Sequence, residues 1–185
     1  MKRTDFEAWY PEILERLYPI RAAGFAITLI AFPLLERYTR QKARLPWKEG
    51  VSDRFFDTVL GLVPDFARRE NVASFWKAYR HGLLHQVTLQ LETHAGDALP
   101  PCGLTHDIDR IFLISKDGTY YLQPVLFAQR VVELIRGDFS TFGGGSKLAP
   151  PLPRVRDVEI DVEMKIATVS TSPMIIRGTG TGPDK

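Results

Sequence analysis

Sulfur chemistry is almost absent from this sequence, which has one cysteine, Cys102, in 185 residues. A lone thiol can neither close an internal disulfide nor supply a thiolate metal cluster, so a reducing, cytoplasmic setting is expected. Neither sign of charge is in excess. The 24 Lys and Arg against 22 Asp and Glu leave a formal charge of +2, so bulk electrostatics do not mark a nucleic-acid binder, and any such role must come from local clustering. Long apolar runs are also missing. The longest, Ala22 to Leu35, covers 14 residues and includes Gly24, Thr28 and Pro33, short of the roughly 18 that a membrane span needs. Met1 to Glu7 carries acids and adjoins no apolar core, so neither a secretory leader nor a membrane association is expected.

What is present is an ordinary core-forming composition, 44% hydrophobic and 25% charged, of a length that suits one domain. Tyr10 to Pro19 is a short amphipathic stretch. Ile20 to about Lys42 reads as a long helix, with Ile20, Ala23, Ile27, Ile30, Leu34 and Tyr38 near helical spacing. Pro33 inside it predicts a kink near Leu29 to Pro33. Its nearly all-round apolar surface from Ala22 to Leu35 places it centrally or between two layers. Leu45 to Gly50 is a loop, and Ser52 is an N-cap for a helix through Phe55, Val59 and Leu62, ended by Pro64.

A further helix opens at Glu70 or Asn71 and runs to about Glu92. Asp97 to Gly103, with two prolines, is a loop. Ile111 to Ser115 and Thr119 to Leu122 flank Lys116-Asp117-Gly118 and read as a hairpin. Val125 to Ile135 returns to helical spacing. Gly137 to Arg154, with Gly143-Gly144-Gly145 and three prolines, is read as a flexible connection. Its Gly143-Gly144-Gly145-Ser146-Lys147 lacks the spacing of a phosphate-binding loop. Val158 to Ile166 alternates apolar and charged residues as a half-buried strand does, Met174 to Arg177 is a second strand, and a disordered tail follows.

The expected fold is therefore mainly α, an α-dominated α+β: a helical-bundle core with a β-hairpin and C-terminal β-strands. Residues 1–136 form a helical domain with a hairpin insert. Residues 137–185 add the connection, the strand pair and the tail, packed on the same domain.

The helix from Glu70 to Glu92 carries the chemistry. At 100° per residue, Ser74, Lys77, His81, His85, Thr88 and Glu92 share one polar arc, and Val72, Phe75, Trp76, Tyr79, Leu83 and Val87 form the apolar face. His81 and His85, four apart, stack on one side. Arg80 lies toward the apolar side, among Ala73, Leu84, Val87 and Leu91, where an unpaired guanidinium would cost several kcal/mol. It must therefore snorkel or find an acid, and Glu36, near the end of the first long helix, is the expected partner. On geometry alone the plainer reading is a structural Arg80–Glu36 ion pair with solvated histidines. No metal is expected, because His81 and His85 lack the intervening glutamate of a zinc helix and no third ligand follows.

Tyr79-Arg80-His81-Gly82-Leu83-Leu84-His85-Gln86 resembles the signature helix of the HEPN superfamily. These are helical domains of prokaryotic toxins, defence systems and RNA-processing enzymes, marked by an arginine, a polar residue after it, and a histidine four to six residues further on. Leu34-Leu35-Glu36-Arg37-Tyr38 resembles the family's early helix with its acid. The resemblance covers about Ile20 to Glu92 and leaves out the hairpin and the C-terminal strands.

The resemblance implies cofactor-independent, metal-independent cleavage of RNA through its own 2′-OH, at a site composed where two protomers meet. It casts the chain as a toxin or defence effector, with RNA, a second copy of itself and an antitoxin as partners. His85 would be the general acid or base, Arg80 would stabilise charge on the scissile phosphate, and His81 would orient one of them or touch phosphate. A non-catalytic HEPN-like binding or scaffold protein, with a structural Arg80–Glu36 pair, is the alternative.

Arg37, Arg40, Lys42, Arg44 and Lys48 are interleaved with Tyr38 and Trp47, a mixture that suits an RNA backbone and its bases. They are candidate substrate contacts, together with Lys77. An ordinary solvated helix end, favoured by the helix dipole, explains the same run.

Overall fold

Helix ends fall where the residues supply caps and breaks. The computed structural model describes residues 1–47, 50–80 and 99–144, all of which lie in one unit, Met1–Pro153. Two short helices open the chain: α1 (Arg3–Trp9), where Asp5 accepts from the Lys2 backbone N–H at 3.2 Å, and α2 (Pro11–Leu17). Pro11 stands at the first position of α2, where its missing N–H has no helical partner to lose. A 3₁₀ turn, Arg21–Ala23, then leads into α3 (Gly24–Ala43). This helix runs unbroken through Pro33, whose ring faces outward. It closes at Arg44, held in the left-handed region at φ 54°, while the Leu45 N–H reaches back to the Arg40 carbonyl at 2.9 Å.

α4 (Asp53–Leu62) starts after Ser52 and stops before Pro64. α5 (Arg69–Phe75) follows, and its helical path continues as a π-type turn through residues 76–80. Three short strands, β1 (Cys102–Leu104), β2 (Phe112–Ile114) and β3 (Tyr120–Leu122), form a sheet in the order β1-β3-β2. β2 and β3 are the antiparallel hairpin, and β1 runs parallel to β3. Gly118 turns the hairpin at φ +84°, where a glycine carries no Cβ penalty, while Asp117 accepts from the Ser115 and Thr119 hydroxyls. α6 (Pro124–Gly137) is capped by the Gln123 side chain, which accepts from the Leu126 N–H at 2.9 Å. In α7 (Phe139–Gly143) the cap is Asp138, accepting from the Thr141 N–H.

The architecture is thus mainly α with a small sheet, as expected. α3 is central and packs against α2, α4, α6 and α7. At its middle Phe32 stacks on Phe75 at 5.0 Å between ring centroids and meets Trp76 and Phe127 edge-on or tilted. Phe66 and Phe112 extend this aromatic cluster towards the sheet. Every side chain in it is fully or nearly fully buried.

Two expectations need correction, and the residues before Tyr10, for which the sequence suggested no element, form a helix, α1. The stretch read as a loop, Asp97 to Gly103, ends in β1, whose Cys102 and Gly103 pair with Tyr120 and Tyr121. The connection read from Gly137 begins with α7. The physical reason is shared: each element is too short to show a period, and each is held by partners distant in the chain. Phe6 of α1 packs on Phe139 and Phe142 of α7 at 5.8 and 5.4 Å. The C-terminal strands, Val158 to Ile166 and Met174 to Arg177, lie outside the described residues. No helix among the described residues is long and apolar enough to cross a membrane.

Candidate functional site

The C-terminal half of α3 and the π-type turn after α5 build the site together. A π-type turn widens the helix and recurs at functional positions. Its described part includes Tyr79 and Arg80, which are fixed in different ways. Tyr79 is fully buried, and its hydroxyl lies 2.8 Å from both the Gly103 and Tyr120 carbonyl oxygens, donating to one of them while accepting the Gly103 N–H at 3.2 Å. That oxygen sits between β1 and β3, so the sheet anchors the turn one residue before Arg80. Burial pushes the Tyr79 hydroxyl far above its ordinary value, keeping it a neutral donor.

Arg80 reaches across to α3. Its Nε donates to Glu36 Oε2 at 3.0 Å, and its Nη2 forms an ion pair with the same oxygen at 3.0 Å. Glu36 Oε1 accepts from Arg40 Nε at 3.1 Å, four residues along the same helix. One carboxylate therefore joins two guanidiniums. Such charge-assisted bonds satisfy a group that would otherwise cost several kcal/mol to bury.

The three charges are not equally enclosed: the Glu36 side chain is 5% exposed and that of Arg80 20%. Arg80 is thus a guanidinium held from behind by a buried acid, with part of its side chain at the surface. Arg40 is packed more deeply. Its guanidinium carbon lies 5.2 Å from the Trp47 ring centroid and 5.6 Å from that of Phe55, and its Nη1 donates to the Pro46 carbonyl at 3.2 Å.

The expected basic strip is not one surface. Arg37 and Arg40 are buried and are corrected here from candidate substrate contacts to interior groups. Arg37 Nε donates to the Phe142 carbonyl at 3.4 Å, with its guanidinium 5.6 Å from the Phe142 ring, so it ties α3 to α7. Burial lowers its affinity for the proton relative to an exposed arginine. Tyr38 is buried too. Lys42 is exposed and bonds Asp138 at 2.8 Å. Arg44 and Lys77 are also exposed. Lys48, His81 and His85 lie outside the described residues.

Of the expected site residues, Glu36 and Arg80 are brought together. The anchoring of Tyr79 and the stacking of Trp47 on Arg40 have no sequence signal beyond an apolar face and a neighbouring aromatic. Asp138 was legible as an N-cap in Asp138-Phe139-Ser140-Thr141 and was missed. Cys102 is a poor nucleophile, since burial pushes its thiol up to about 11. Comparison with protein-family models, with curated proteins and with solved structures yields no match to this chain, so what the site does is argued from its geometry and its motif.

Proposed function

We propose that this chain is a metal-independent endoribonuclease of the HEPN type, acting as a toxin or defence effector. The observation that supports this most directly is the Glu36–Arg80 pair. The resemblance rests on both the motif arginine and the early-helix acid, and these two, 44 residues apart, lie 3.0 Å from each other, a pair that the catalytic and the non-catalytic HEPN-like readings share. An arginine braced by a buried carboxylate at the edge of the fold is pre-organised to meet developing charge on a phosphate without reorganising. In this reading the RNA 2′-OH attacks the adjacent phosphorus and the 5′-oxygen of the next nucleotide leaves. His85 moves the proton, Arg80 stabilises the phosphorane oxygens, and His81 orients one of them. The site is completed by a second copy of the chain, and an antitoxin protein is the expected regulator.

One observation favours a second reading. Glu36 neutralises Arg80 within a single chain and is itself shared with Arg40, as a purely structural triad would be. The chain would then be a HEPN-like binding or scaffold domain.

The test is cleavage of a mixed RNA pool in EDTA by the purified protein, His85→Ala and Arg80→Ala. In Arg80→Ala, Glu36 keeps Arg40 as a partner. Cleavage lost in both variants while both stay folded, with melting temperatures within a few degrees of the parent, supports the ribonuclease. No cleavage by the parent, or undiminished cleavage by His85→Ala, removes catalysis and leaves the binding domain.

A further inference from the structure

Trp47 is one of the most exposed large apolar side chains among the described residues, 42% open to water. It is nevertheless held in place. The Leu45 N–H bonds the Arg40 carbonyl at 2.9 Å, Arg40 Nη1 bonds the Pro46 carbonyl at 3.2 Å, and the Arg40 guanidinium lies against the Trp47 ring. The loop that carries the ring is thus pinned to the end of α3 at three successive residues. Arg40 is also the second ligand of Glu36, whose other oxygen holds Arg80. Trp47, Arg40, Glu36 and Arg80 therefore form one continuous relay, ring to guanidinium to carboxylate to guanidinium. It begins on an exposed aromatic and ends on the arginine assigned to the phosphate.

We infer that Trp47 is the nucleobase platform of this site, stacking a base of single-stranded RNA on its outer face while Arg40 supports its inner face. The inference rests on the ribonuclease reading and adds to it a substrate class, RNA with an unpaired base beside the cleaved phosphate. Three features carry it. Stacking accepts any base, since each has a π-face, and needs a ring open on one side. A cation behind the ring fixes its orientation, so little side-chain freedom is lost on binding. Two backbone bonds, at Leu45 and Pro46, and the Arg40 contact with the ring hold this exposed tryptophan in one place, as a stacking platform needs. Of the aromatic and basic residues that made this segment look like an RNA-binding strip, Tyr38, Arg37 and Arg40 are inside, and Trp47 presents a ring to solvent.

The experiment measures binding of the full chain to a short mixed-sequence RNA made uncleavable by 2′-O-methylation, and to the same backbone without bases. The parent is compared with Trp47→Leu, which keeps an apolar cover over Arg40, and with Trp47→Phe, which keeps a ring. The expected result is that the parent prefers the base-bearing strand. Trp47→Leu should bind it about tenfold more weakly, the loss of one base–aromatic stack, and bind the abasic strand as the parent does, while Trp47→Phe keeps most of the affinity. Tryptophan emission should be quenched by the base-bearing strand in the parent and much less in Trp47→Leu, a comparison that separates Trp47 from Trp9 and Trp76. If Trp47→Leu binds both strands as the parent does, Trp47 is only a cover for Arg40, and the inference fails while the ribonuclease reading stands. If the parent binds neither strand, the RNA reading fails with it.

Discussion

The two halves of α3 differ in how far they are buried, the first partly and the second almost throughout, and they are held by different physics. Its first half buries Ile27, Ala31 and Phe32, with Phe32 against the rings of Phe75, Trp76 and Phe127, contacts that are non-directional and individually weak. Its second half buries Glu36, Arg37 and Arg40, charged groups that tolerate enclosure only with partners in defined positions. The first half supplies stability. The second spends some of it to fix Arg80 through Glu36 to within a hydrogen bond. That is the division expected where a domain carries a site: the apolar half can be repacked by any side chains of similar volume, and the polar half cannot.

The comparison can be broken most severely at its apolar end. Phe75 sits among Phe32, Phe66, Phe112, Phe127 and Tyr79, and Phe75→Ala should cost about 4 kcal/mol in urea unfolding, from lost transfer energy and the cavity left behind. A loss below about 1 kcal/mol would mean that this cluster is not the core.

The polar half is sharpened by an asymmetry. Glu36→Ala leaves two guanidiniums facing an empty position and should cost about 3 kcal/mol. Arg80→Ala leaves Glu36 bonded to Arg40 and should cost about 1 kcal/mol. Equal losses in the two variants would show that Arg40 does not stabilise Glu36 by itself.

The smallest effect is expected where the same helix reaches water. Lys42, followed by Thr141, holds the Asp138 carboxyl well below the usual carboxylate range. A carboxyl depressed on folding stabilises the fold at pH values above its unfolded pKa, and that contribution is lost as the pH falls through the folded one. Asn caps a helix as well as Asp does, so Asp138→Asn removes the charge and keeps the cap. The cost should be under about 1 kcal/mol for a pair this open to solvent. It should be constant above about pH 5 and shrink below about pH 4, near the unfolded carboxyl value. A cost that does not change with pH would assign the loss to hydrogen bonding rather than to charge.

Much of this fold was legible because the signals are local. The apolar spacing of α3 and α6, Ser52 before α4, and Lys116-Asp117-Gly118 in the hairpin each act within a few residues. The partner of Arg80 was legible for a different reason: a guanidinium on an apolar helix face needs an acid, and Glu36 lies near the end of the preceding long helix. The basic strip was misread because a run of charges on a helix end looks the same whether it faces water or turns inward. Arg37 and Arg40 turn inward only because Phe142, Pro46, Trp47 and Phe55 close over them.

By itself, then, the sequence determined α3, α6, the hairpin turn and the meeting of Glu36 with Arg80, because periodicity, turn chemistry and the cost of a buried charge are written into neighbouring residues. Tertiary structure alone decided the rest. α1 and α7 are too short to be stable in isolation and exist through Phe6, Phe139 and Phe142. β1 exists through its parallel pairing with β3. The placing of Trp47 outside and Arg40 inside depends on a loop closing over the end of a helix. In each case the stabilising partner is distant in the chain or set by side-chain packing, where no local pattern records it.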